Sequence, residues 1–107
     1  MDNARVAKYM LETEHSNIDV SELLFRNWKE QKEMYNTYST AYDILKNRKT
    51  LHGLKEDDEK LFAWLYIKIQ FVISNMEYIW SIAFELDEAT GDAFQEKVYT
   101  YQRNCGI

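Results

Sequence analysis

Apolar and polar positions follow the period of a helix along most of this chain. Leu24, Trp28, Gln31, Tyr35, Tyr38, Tyr42 and Leu45 succeed one another in steps of four and three. On a helical projection the apolar side chains from Val20 to Leu45 fall within an arc of roughly 140°. Glu22, Arg26, Lys29, Glu33, Asn36, Thr40 and Asp43 fill the opposite side, and only Phe25 and Ile44 leave the stripe. The pattern predicts a one-sided helix over about 19–51. Asp19, with Glu22 three positions on, reads as its N-cap and capping-box partner.

Residues 56–88 read differently. Gln70, Ser74, Glu77, Ser81 and Glu88 form one narrow polar stripe, and most other positions are apolar. The apolar arc covers roughly 240°, whereas a helix resting on one neighbour needs little more than 100°. This helix is therefore expected to be the central element and to touch two or three others. Two shorter helices complete the pattern. One spans about 2–14, with Val6, Tyr9, Met10 and Thr13 on one side. The other starts around Asp92, with Gln95 as its capping partner and Phe94, Val98 and Tyr101 as its apolar face.

The most charged stretch, KNRKTLHGLKEDDEKLF over 46–62, falls where the two long helices meet. Lys46, Arg48 and Lys49 sit at a helix C-terminus and Glu56, Asp57, Asp58 and Glu59 at a helix N-terminus, the placement the helix dipole favours for each sign. Gly53 suits a C-terminal cap. The short connection implies antiparallel neighbours. The fold class expected is all-α: a small bundle built on a long antiparallel hairpin (about 19–51 and 56–88) with shorter N- and C-terminal helices, in a single domain over 1–107.

Composition supports this picture. The chain has 107 residues, no proline and three glycines, so tight turns are few. Three Trp, eight Tyr and five Phe give enough apolar area to argue against disorder. Cys105 is the only cysteine, which excludes an intrachain disulfide. The unbroken apolar run Leu61–Ile67 is far short of the ~20 residues that span a bilayer. No leader-like apolar stretch opens the chain, and a cytoplasmic setting without membrane contact is expected. Net charge is −5, and it is uneven. Residues 1–55 carry nine Lys/Arg against eight Asp/Glu, and residues 56–107 four against ten. That balance argues against direct nucleic-acid binding, which needs phosphate neutralisation, and suits a basic protein partner.

Few residues offer chemistry. One Cys and two His give no zinc-ligand spacing, and Glu12 with His15 is a lone E-x-x-H without the second copy that a di-iron bundle uses. No metal or cofactor is expected. Arg48 and His52 resemble the Arg–His motif of helical-bundle nucleases, but they stand closer in sequence than that motif places them. No nucleophile–base order or Gly-rich phosphate loop is present.

Candidate partner-binding residues are of three kinds. Phe25 is an off-stripe aromatic. Lys68 and Asn75 project from the apolar part of the central helix, where they either snorkel at a seam or fix the register of a helix pair. Glu85, Asp87, Glu88, Asp92 and Glu96 form an acidic run suited to a basic surface. The function expected is a non-enzymatic protein–protein interaction module. It would be a small regulator or inhibitor, of a kind that phages and mobile elements encode, occupying a basic nucleic-acid-binding surface of a host protein. A homodimer is expected, because the central helix has more apolar surface than its neighbours cover. A self-assembling scaffold is the alternative, and a helical-bundle nuclease a lesser one.

Overall fold

The computed structural model describes residues 19–105, and within them the chain is three α-helices: α1 (Val20–His52), α2 (Glu56–Leu86) and α3 (Glu88–Asn104). The all-α expectation holds. The helix expected over 2–14 lies outside the described residues.

Asp19 caps α1. Its carboxylate accepts from the Ser21 N–H at 3.0 Å, the Ser21 hydroxyl at 2.6 Å and the Glu22 N–H at 3.4 Å. These bonds satisfy N–H groups that a helix start leaves without partners. Glu22 does not play its expected part in a capping box. Its carboxylate meets Arg26 at 3.3 Å and Lys97 at 3.4 Å instead. The Ser21 hydroxyl bond is the main cause that holds the Asp19 carboxyl below its usual value, and partial burial opposes it.

α1 ends as its sequence suggests. Gly53 takes φ 76°, a left-handed conformation, and its N–H bonds the Lys49 carbonyl at 3.0 Å. Three residues later α2 begins with Glu56, Asp57, Asp58 and Glu59 in its first turn.

The start of α3 corrects the sequence reading. The cap is Asp87, not Asp92. Asp87 has extended backbone (φ −169°, ψ 162°), and its side chain accepts from the Thr90 N–H at 2.7 Å and the Thr90 hydroxyl at 3.0 Å. One residue thus joins α2 to α3. Asp92 lies inside the helix, exposed, and Gly91 is buried. A Cβ on Gly91 would stand 2.5 Å from the Phe84 ring, so glycine is what lets the ring lie against the helix here.

Two compact units divide the chain. Among the described residues the first comprises 19–29 and 77–105. Its core holds Leu24, Trp28, Ala83, Phe94 and Val98, the last three at most 1% exposed. Trp80 meets Phe94 edge-on at 5.2 Å, and Trp28 meets Tyr101 in the same way at 6.0 Å. The second unit, Glu30–Met76, is an antiparallel hairpin of the α1 and α2 segments. Contacts climb one helix as they descend the other: Gln31 to Asn75, Tyr38 to Trp64, Tyr42 to Phe62 and Arg48 to Asp58. Leu45, Leu65, Ile69 and Val72 are its buried apolar residues.

Candidate functional site

The second unit has two helical segments, and two helices can bury only one seam between them. α2 presents Leu65, Ile69 and Val72 to that seam. The rest of its wide apolar arc is only thinly covered: Tyr38 meets the Trp64 ring edge-on at 5.7 Å, yet large side chains stand in solvent there. Trp64 is 45% exposed, Ile67 53% and Phe71 64%, with Leu61 and Tyr66 exposed beside them. Trp64, Ile67 and Phe71 fall within an arc of roughly 60°, about 130° around the helix from the buried row. Together with Leu61 they leave on the order of 400 Å² of apolar surface in water. Patches of that size on a monomer are often functional. A shallow groove of about 240 Å³ runs along this face, lined by Tyr66, Ile67, Gln70, Phe71 and Ser74.

Two of the expected partner-binding residues flank this face. The Lys68 ammonium lies 5.5 Å from the centre of the Trp64 ring, a cation–π contact that carries the charge back along the helix. Asn75 donates to the Gln31 side chain at 3.2 Å, a link between the two helices of the hairpin. Phe25 stands elsewhere, in the first unit. It is half-buried, stacks on Trp28 at 6.4 Å and meets the Tyr101 edge at 6.0 Å.

The acidic run is less of a patch than its sequence suggests. Asp87 is engaged as the α3 cap. Glu96 faces Arg103 at 3.5 Å, an exposed pair of small energetic value. Glu85, Glu88 and Asp92 are exposed.

At the hairpin tip, Arg48, His52, Gly53, Leu54, Lys55 and Asp58 line an open hollow of about 500 Å³. Arg48 donates to Asp58 at 3.4 Å, and the Lys49 ammonium stands 5.4 Å from the Phe62 ring centre. Arg48 and Lys49 are thus turned onto the hairpin itself. Among the described residues no three His, Cys, Asp or Glu gather to hold a metal ion, and no buried side-chain nitrogen or oxygen lacks a hydrogen-bond partner. No described helix is long and apolar enough to cross a membrane.

The sequence reading gave this site its helix but not its residues. The signal was the spacing Trp64, Ile67, Phe71, Ser74, which repeats in threes and fours on the side away from Leu65, Ile69 and Val72. No family model, curated protein or solved structure matches the chain.

Proposed function

We propose that this protein is an interaction module without chemistry of its own, and that it works by presenting the outer face of α2 to another protein surface. One observation carries the reading. The helix that supplies the hairpin core keeps Trp64, Ile67 and Phe71 exposed on its other side. Aromatic side chains concentrate at interfaces because one rigid ring buries much area at little entropic cost. A cytoplasmic setting suits the exposed thiol of Cys105.

A regulatory or inhibitory role against a basic surface is the second reading. It rests on the exposed carboxylates of Glu85, Glu88 and Asp92 near the α2–α3 junction. The two readings place the contact on different residues, and photo-crosslinking separates them. A photoreactive phenylalanine analogue is placed at Phe71, or at Glu88, in the producing cell. A discrete crosslinked product from position 71 that disappears with Ile67→Glu supports the module reading. A product from position 88 alone transfers the contact to the acidic residues. No product from either position sinks both.

A further inference from the structure

We infer that the occupant of this face is a second copy of the same chain, with two α2 helices packed antiparallel across a two-fold axis. The inference rests on the interaction-module reading and names its partner.

Charge is the first argument. The chain carries a net −5, so two copies repel wherever their acidic surfaces meet. Between Lys60 and Glu77, however, Lys68 is the only charged residue. The exposed face is therefore a neutral strip on an acidic protein. A basic partner would need carboxylates along the strip, and none stands there. A second copy meets no like-charged carboxylates there. Lys68 leans over its own Trp64 ring, toward the start of the helix. In an antiparallel pair the two ammonium groups are drawn away from the axis in opposite directions.

Shape is the second argument. Trp64, Ile67, Phe71 and Ser74 follow the alternating spacing of a coiled-coil seam. Two such seams can run parallel or antiparallel. Parallel pairing sets Trp64 against Trp64 and Ser74 against Ser74, bulk on bulk and gap on gap. Antiparallel pairing with the axis level with Ile69 sets Trp64 against Ser74 of the second copy, and Ile67 against Phe71. Large side chains then meet small ones, the condition for close packing. The groove along Ile67, Gln70, Phe71 and Ser74 lies where the incoming indole would rest, and it occurs twice by symmetry. Opposed helix dipoles add to the preference.

Area sets the strength. The strip supplies about half of the ~800 Å² per partner that a standard interface buries. Ala63, Gln70, Ser74 and Asn75 on its flanks add to it. The dimer should therefore assemble reversibly in the micromolar range.

The first test is the mass of the purified 107-residue chain by light scattering over a concentration series. Circular dichroism on every variant confirms that the helices are kept. Twice the 12.9 kDa chain mass is expected at tens of micromolar. Phe71→Glu should return the monomer. So should Ser74→Trp, which adds apolar surface but fills the place of the incoming indole. A helical Ser74→Trp variant that dimerises as well or better overturns the register. A wild-type monomer at that concentration overturns the second copy as partner. The module reading then stands or falls on the cell crosslink at position 71, whose product mass shows whether another protein is held. The direction of pairing is read from a spin label on Glu59→Cys in a Cys105→Ser background. Antiparallel helices place the two labels about 30 Å apart along the axis. A separation near the ~10 Å interhelix distance means parallel packing and overturns the proposed arrangement.

Discussion

The two units use similar side chains and reach different degrees of closure. In the first, α3 lies alongside parts of α1 and α2, and Phe94, Val98 and Ala83 lose essentially all contact with solvent. In the second, only two helical segments are present, and its most buried residues line one seam. Eight of its large apolar side chains are exposed, against Tyr78, Phe84 and Tyr99 in the first unit. The difference is geometric before it is chemical. Three helical segments can enclose a core, whereas two can only share a face. An aromatic residue in the first unit thus contributes to stability. One on the outside of the second, such as Phe71, keeps most of its ring in solvent and is available for association.

Substitutions in the two regions should separate these roles. The largest effect is expected at Phe94, which is fully buried against Trp80. Phe94→Ala should cost about 3–5 kcal/mol, from lost transfer energy and the cavity left behind. Urea denaturation followed by far-UV circular dichroism reads it, and a change under 1 kcal/mol would deny the first unit its closed core.

The sharper comparison lies on a single helix. Leu65 is 2% exposed and Ile67 53%. Leu65→Ala should destabilise by about 2–5 kcal/mol. Ile67→Ala should stay within ~0.5 kcal/mol when stability is measured on dilute protein. Equal losses at both positions would mean that the outer face of α2 is part of the folded core.

The smallest effect concerns the α1 cap. The folded pKa of Asp19 lies below its ordinary value of 3.8. The unfolded chain therefore binds the proton more readily, and stability rises with pH across the window between the two values. The contribution is fully present above the ordinary value and is lost as pH falls through the lowered one. Asp19→Asn keeps an accepting oxygen for the cap but removes this titration. Melting curves between pH 2 and 5 should differ in slope between wild type and variant, and parallel curves would remove Asp19 from the acid response.

Much of the architecture was legible in the pattern of residues. The seam of α1, the cap at Asp19, the turn at Gly53 and the opposed charges of the hairpin tip all follow from local rules that the rest of the molecule does not override. The start of α3 was not read, because Gly91 looks like a helix breaker and Asp92 like a cap. The decisive pair was Asp87 and Thr90, three apart, and Gly91 is glycine for the sake of the Phe84 ring. The exposed face was half legible. The breadth of the apolar arc on α2 announced that it wants more neighbours than one, but periodicity cannot say which third of the arc stays open. That is settled by where the other helices lie.

The single-residue joint at Asp87 has a consequence for how this chain can vary. Adding one residue there would rotate α3 by about 100° relative to α2 and advance it by about 1.5 Å. Phe94 and Val98 would swing out of the core, and Ala93 and Lys97 would be carried into their places. The hairpin tip imposes no such phase, since His52, Gly53 and Lys55 are all exposed. Length changes among natural variants should therefore collect at the tip, while the joint at 87 keeps a fixed residue count even where its neighbours drift.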